Sequence, residues 1–195
     1  MELVSCQTAR LTLRNLREGD FDAVVRYRCD PETFRYIGEP MTPEDVAAHI
    51  ARCRDGWSRS DGESMHLAIE LSGQGCVIGE TMLRGLNLAD RQAEFGIALG
   101  PRWRGQNLYA LEALAGLFRY AFEDVGLHRL VGFSDVDNPS TASPPKLLGL
   151  QREGLLRHNA FRHGQWRDEY VVAVLEDDWP TVRTRCRSLL TQREP

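Results

Sequence analysis

The stretch that most constrains this chain is Pro101-Arg102-Trp103-Arg104-Gly105-Gln106-Asn107-Leu108-Tyr109-Ala110-Leu111-Glu112-Ala113, a short basic loop running into a long helix. The apolar positions Leu108, Leu111, Leu114, Leu117, Phe118, Ala121, Phe122 and Val125 fall at intervals of three and one. That spacing predicts one buried helical face. Upstream, Ala93-Glu94-Phe95-Gly96-Ile97-Ala98-Leu99 has the short apolar character of a buried strand. The order is strand, basic glycine loop, helix N-terminus. A helix start leaves about four backbone N–H groups without helical partners, at the positive end of the macrodipole. With Arg102 and Arg104 beside them, these groups describe an anion cradle, most simply for phosphate. The plainer alternative is a strand-to-helix turn that happens to be rich in arginine.

A chain of 195 residues is long enough to bury a substantial core and is expected to form one domain, with a body over about 10–179 and a helical tail over 180–195. No apolar run approaches the roughly 20 residues that span a bilayer. The start, Met1-Glu2-Leu3-Val4-Ser5-Cys6, lacks the basic and apolar regions of a signal peptide, so a cytoplasmic protein without membrane partners is expected. The net charge of −4 argues against general nucleic-acid binding. The cysteines Cys6, Cys29, Cys53, Cys76 and Cys186 are odd in number and widely spaced. They predict reduced structural thiols, with no disulfide framework and no metal site.

Alternation predicts a strand over 10–16. A helix capped by Asp20 runs from Phe21 to Cys29, with Asp30-Pro31 as its stop. Thr42-Pro43-Glu44-Asp45 starts another helix, running to about Ser58. Strands over 65–71, 76–84 and 92–99 have short connections and form an antiparallel meander. Gly126 closes the long helix, and the next strand, 129–135, is expected parallel to its neighbour. Two strands, near 154–161 and 166–175, finish the sheet through His163-Gly164-Gln165.

This order of elements, with its motifs, resembles the GNAT superfamily of acyl-CoA-dependent N-acyltransferases, closest to the bacterial branch that acetylates ribosomal-protein N-termini. The family signature Arg/Gln-x-x-Gly-x-Gly/Ala reads here Arg102-Trp103-Arg104-Gly105-Gln106-Asn107. Glu112-Ala113-Leu114, Tyr120-Ala121-Phe122-Glu123, Gly126-Leu127-His128-Arg129, Asn138-Pro139, Leu148-Gly149, Glu153-Gly154 with Arg157, and Gly164-x-Trp166-x-Asp168 follow in family order. The resemblance implies an α/β (α+β) GNAT fold, a mixed, mostly antiparallel sheet of about six or seven strands with helices on both faces. Three departures stand out. Asn107 replaces a small residue, the interval from Gly105 to Glu112 is one residue longer than the family's, and Ser143-Pro144-Pro145-Lys146 replaces an amphipathic turn, with Leu150 in place of Phe.

The resemblance implies acetyl-CoA, or another acyl-CoA, as co-substrate. Its pyrophosphate would meet Arg102, Arg104, Gly105, Gln106, Asn107, Leu108 and Tyr109, and its pantetheine arm would pair along 95–99, at Phe95, Ile97, Ala98 and Leu99. The oxyanion would accept an N–H near Ile97 or Ala98, and Asn138 would touch the pantetheine or the turn backbone. Amine deprotonation is the selective step. An α-amine, with a pKa of about 8, is about a tenth neutral at pH 7, whereas a lysine amine at about 10.4 is almost wholly charged. An α-amine acceptor therefore needs only a modest base, and Glu94 is the candidate, against a plain role as a solvated strand residue or partner of Arg91. The tyrosine that protonates the leaving thiolate in many relatives falls at Pro145. The branch's hydroxyl is Thr141, with Ser143 and Ser140 as alternatives, and all three are equally explained as helix caps.

The leading function is transfer of acetyl to a primary amine, either a protein N-terminal α-amine or a small molecule. Asn107 and the proline pair motivate two alternatives, a coenzyme-binding sensor or inactive homologue without transferase activity, and a transferase for succinyl or another larger acyl group. A Walker loop is excluded, since the only lysine, Lys146, is far from Gly105. A dinucleotide fingerprint is absent. The resemblance is compatible with a homodimer and leaves the oligomeric state open.

Overall fold

The computed structural model describes residues 2–105, 107–139 and 143–191, with the backbone alone at 143 and 144. Eight strands form one sheet in the order β1-β2-β3-β4-β5-β6-β8-β7. They are β1 (Ser5–Gln7), β2 (Leu11–Asn15), β3 (Met65–Leu71), β4 (Cys76–Asn87), β5 (Gln92–Leu99), β6 (Arg129–Asp135), β7 (Gln151–Arg162) and β8 (Gln165–Leu175). Every neighbouring pair is antiparallel except β5 and β6, which are parallel as expected. The eighth strand is β1, a three-residue edge whose Ser-Cys-Gln sequence carries no apolar run to announce it. Cys6 alone turns inward there and is buried.

The helices are α1 (Phe21–Arg28), α2 (Pro31–Phe34), α3 (Pro43–Cys53), α4 (Tyr109–Arg119), α5 (Ser143–Leu148) and α6 (Trp179–Thr191). The period-two alternation of the strands divides two cores. On β3, Leu67 and Ile69 face α4 and its neighbour α6, whereas Ala68 faces α1 and α3. Helices therefore cover both faces. The C-terminal helix is part of this packing, since Trp179, Val182 and Cys186 are buried in the α4-side core. Among the described residues no helix is long and apolar enough to cross a membrane.

Three local expectations change. Asp20 does not cap α1 with its side chain, because its carboxylate takes both Nη atoms of buried Arg14, at 2.7 and 2.8 Å, and the Arg17 N–H. Asp30-Pro31 opens a helix instead of only stopping one, Asp30 capping α2 at the Thr33 N–H with Pro31 in the first turn. The predicted capping box Thr42–Asp45 is present, but α3 ends at Cys53, short of Ser58. Gly56 there adopts φ +88° and lies against the backbone of Glu2, and Trp57 turns away from the helix to bridge that residue.

The start of α4 is fastened to the β1–β2 turn through Glu112, a buried carboxylate one turn into the helix. It accepts from Thr8 Oγ1 at 2.6 Å, the Arg10 N–H at 2.7 Å and Arg10 Nε at 2.7 Å. Arg10 also donates from Nη2 to the Asn107 carbonyl at 2.7 Å and lies over the Tyr109 ring. One charged cluster thus sets where the glycine turn meets the helix. Glu112→Ala leaves the Thr8 and Arg10 donors unmet. Because Arg10 is partly open to solvent, the expected cost is about 2–3 kcal/mol, below that of a fully buried pair. Urea denaturation of the variant measures it, and a loss under about 0.5 kcal/mol would contradict this role for Glu112.

Candidate active site

β5 and β6 touch over only three register pairs, Gln92–Arg129, Ala93–Leu130 and Glu94–Val131. Beyond them β6 stays with β8 as far as Asp135, while β5 stays with β4 as far as Leu99. The sheet therefore parts in its middle. A cavity of about 460 Å³ opens at the parting, lined by β4, β5, β6, the 34–37 segment and β7. The Gly100 N–H donates to the Ile78 carbonyl, on the β4 side. By two-residue alternation the Gly96 and Ala98 amides also turn to β4, and those of Phe95, Ile97 and Leu99 turn toward β6 and the gap. Of the two amides expected near an oxyanion, Ile97 is the one facing the opening.

The side chains of β5 divide the other way. Phe95 and Leu99 are buried in the α4-side core, Phe95 edge-on to Phe118 and filling the space beside Gly132. They can serve an extended ligand only through their backbone. Glu94, Gly96 and Ala98 lie on the opposite face, with the cavity. The Met82 methyl occupies the place where a Cβ on Gly96 would stand, which explains the glycine.

The glycine turn is more contorted than a plain strand-to-helix junction. Gly105, Asn107 and Leu108 have φ of +69°, +49° and +57°, and α4 begins only at Tyr109. The extra residue is absorbed here, ahead of the helix. Asparagine tolerates the left-handed region better than most residues, so Asn107 fits the turn. Among the described residues no side chain caps α4, and its first amides stay available at the positive end of the dipole. Arg104 does not face this opening. It binds Asp30, Thr33 Oγ1 and the Glu32 carbonyl, tying the turn to α2. Arg102 is exposed, lies over Trp103, and forms no ion pair among the described residues. Gln106 and Thr141 lie outside the described residues, as does the side chain of Ser143.

Glu94 pairs with Arg84 on the facing strand, at 2.5 and 3.2 Å, and not with Arg91, which reaches Glu176 and the Gly126 carbonyl. Asn138 lines the cavity and its N–H donates to the Asp135 carbonyl.

The sequence did not single out two buried charge clusters in the cavity walls. Glu80 accepts from Tyr27 Oη at 2.6 Å, Arg28 Nε at 2.9 Å, Arg28 Nη2 at 3.0 Å and His49 Nε2 at 2.8 Å, with His66 Nδ1 at 3.5 Å. Burial pushes its carboxyl up, but the Arg28 charge and the surrounding donors outweigh that and hold it well below the usual range. Burial, reinforced by Glu80, drives the Tyr27 hydroxyl well above its ordinary value. His49, His66 and Glu80 have the composition of a metal site. Arg28 Nη2 already stands 3.0–3.5 Å from all three ligand atoms, so a guanidinium supplies the positive charge there. On the opposite wall, Asp135 binds Arg167 through both oxygens, and Glu169 binds Arg162 and Asn159. Burial raises the Asp135 carboxyl, and Arg167 with the Asp137 N–H brings it below normal. One signal was legible: Glu80 interrupts Val-Ile-Gly-Glu-Thr-Met-Leu, a stretch otherwise without charge. A carboxylate in such a run needs a built partner.

The chain matches the family model described as "Acetyltransferase (GNAT) domain" over residues 10–151. It is 27% identical to the uncharacterized N-acetyltransferase YnaD of Bacillus subtilis over 174 residues, covering 88% of this chain and 97% of that protein. It is 30% identical to the [ribosomal protein uS5]-alanine N-acetyltransferase of Escherichia coli over 88 residues, 45% of each chain. Among solved structures, the spermidine N-acetyltransferase of Vibrio cholerae in complex with CoA and spermine superposes with a TM-score of 0.76 at 23% identity, covering 89% of this chain and 99% of that one.

Because Glu80 and Asp135 titrate lower in the folded than in the unfolded chain, acid protonates the unfolded state first. Their contribution is complete above about pH 5 and is lost as pH falls through the folded-state values. Denaturation in urea from pH 6 to pH 3 (a range of about three units around the carboxylate values) is expected to show a shallower acid slope in Glu80→Gln than in the wild type. Equal slopes would contradict the Glu80 assignment.

Proposed function

The chain belongs to the GNAT acetyltransferase family, and we propose that it transfers acetyl from acetyl-CoA to a single α-amine, on a peptide N-terminus or a small molecule of similar charge. The observation that carries this is the parting of β5 from β6. It leaves backbone N–H groups of β5 facing a cavity, with an uncapped helix start beyond the end of the same strand. An extended amide-bearing arm pairs with such an edge as an added strand would. A diphosphate suits the N-terminus of α4, with Gly105, Asn107, Leu108 and Tyr109 supplying backbone and Arg102 the charge. The left-handed turn keeps Gly105 open to that ligand, since nothing lies within 4 Å of a Cβ built there. Gln106 is assigned to the same turn by its place in the signature.

In this reading the thioester carbonyl lies beside the Ile97 N–H, which stabilises the developing oxyanion. Asn138, across the gap on the β6 side, meets the arm. The acceptor enters from the cavity face, and Glu94 is the carboxylate that meets its ammonium. Paired with Arg84, Glu94 holds the ammonium and passes its proton to cavity water. Thr141 and Ser143 are the proposed proton donors to the leaving thiolate.

Charge favours an α-amine over a polyamine. Each carboxylate lining the cavity is already matched, Glu80 with Arg28, Glu94 with Arg84, Asp135 with Arg167 and Glu169 with Arg162. A polycation would have to displace several guanidinium groups at once. A monoamine needs one carboxylate.

Gly105→Glu adds strain at positive φ and a negative charge in the cradle, and is expected to abolish CoA binding in calorimetry while circular dichroism stays native. Glu94→Gln is expected to slow turnover with CoA affinity unchanged. In a competition assay, peptides with free α-amines are expected to outperform spermidine. Retained CoA binding in Gly105→Glu, or a preference for spermidine, would contradict the respective assignments.

A further inference from the structure

We propose that His66 is the proton acceptor of the transfer, receiving the acceptor's proton at Nε2 through cavity water while the Glu80–Arg28 pair holds its other face. This rests on the acetyltransferase reading above. His66 sits on β3 opposite Met82, which in turn sits opposite Gly96, so the imidazole shares the cavity face two strand spacings, about 10 Å, from β5. Its Nδ1 is turned into the cluster, 3.5 Å from both Glu80 Oε1 and Arg28 Nη2. Among the described residues Nε2 has no hydrogen-bond partner and is not among the sealed polar atoms, and the residue lines the cavity. The ring is mostly enclosed, with 20% of the side chain exposed.

The groups facing His66 are Glu80 from β4, Arg28 from α1 and His49 from α3, the two imidazoles meeting edge to face. His49 Nε2 lies 2.8 Å from Glu80, and its Nδ1 lies 3.7 Å from the Cys53 thiol. That arrangement suits His49 as an Nε2–H donor, committed to the cluster. His66 is therefore the histidine of the pair left with an open nitrogen. Burial lowers its pKa below the ordinary value, against the pull of Glu80, so it is neutral at pH 7 and able to accept a proton. Glu80 has four donors on its two oxygens and is not itself free to act as a base.

The step balances. The amine nitrogen attacks the thioester carbon, the C–S bond breaks, and its electron pair leaves on sulfur. The nitrogen's surplus proton passes through water to Nε2. The imidazolium hands its proton through cavity water to the hydroxyl that protonates the thiolate, a stronger base than imidazole by about two pKa units. A cavity of about 460 Å³ holds several waters at about 30 Å³ each beside an acceptor.

The test combines rates with a readout independent of turnover. His66→Gln is expected to lower kcat/KM at pH 7 by about 10²-fold, to leave CoA affinity unchanged, and to lose the acid limb of the pH profile. Added imidazole is expected to restore rate to His66→Ala. In the free wild-type protein, histidine NMR titration is expected to place His66 on that same acid limb, and Glu80→Gln to move both to lower pH, since the carboxylate that favours the imidazolium is gone. Wild-type-like rate and acid limb in His66→Gln, or a His66 titration apart from the limb, would overturn the proposal. Transfer by such a variant would sink His66 alone, whereas a wild-type protein inactive on every amine would sink the acetyltransferase reading with it.

Discussion

A sheet that stops being a sheet halfway along two of its strands is the constraint on which the site depends. β5 and β6 pair near their N-terminal ends and then follow different neighbours, β5 held by β4 and β6 by β8. Phe95, wedged against Gly132 and Phe118, packs where the strands part. Unpaired strand amides inside a protein are costly unless a ligand or water meets them. The opening therefore brings polar backbone, a cavity and an uncapped helix dipole into one line. Glu112 and Arg10 hold the far end of that line by joining the glycine turn to the β1–β2 turn.

The cavity walls follow a second rule, neutrality by pairing. Burying a carboxylate is expensive unless a cation and hydrogen bonds accompany it. Here each wall carries such a pair, and the pairs come from distant segments, α1 with β4 on one side and β6 with β7 and β8 on the other. Fixed charges of this kind set orientation in the site without leaving a strong net field. The same pairing encloses His66 and leaves one nitrogen facing the cavity.

Much of the architecture was legible in the chain. Alternation marked the strand over 10–16, short apolar runs between turns marked the other six, the leucine spacing marked α4, and Gly126, with φ +78°, follows the π-helical turn Tyr120–Asp124 that continues that helix. β1 was invisible because three residues with one buried cysteine carry no periodic signal. The site was legible where it is made of backbone. A strand, a glycine turn and a helix start have sequence signatures, so the β5 edge and the turn ahead of α4 could be read. Side-chain partnerships between distant segments have none. Arg104 reads as a phosphate ligand next to Gly105, yet α2 lies close enough to claim it. Arg91 is the ion-pair partner weighed for Glu94 beside its role as a base, yet the antiparallel register puts Arg84 directly opposite. Arg28, His49, His66 and Glu80 are far apart in sequence and meet only because α1 and α3 pack on the same face of β3 and β4.

Hydrogen–deuterium exchange at single-residue resolution, with and without CoA, tests the central claim most directly. CoA is expected to slow exchange at the Ile97 and Leu99 amides and in the first turn of α4, while Gly96 and Ala98, already engaged with β4, change little. CoA binding that leaves those amides unprotected, or that protects a different strand edge, would contradict it.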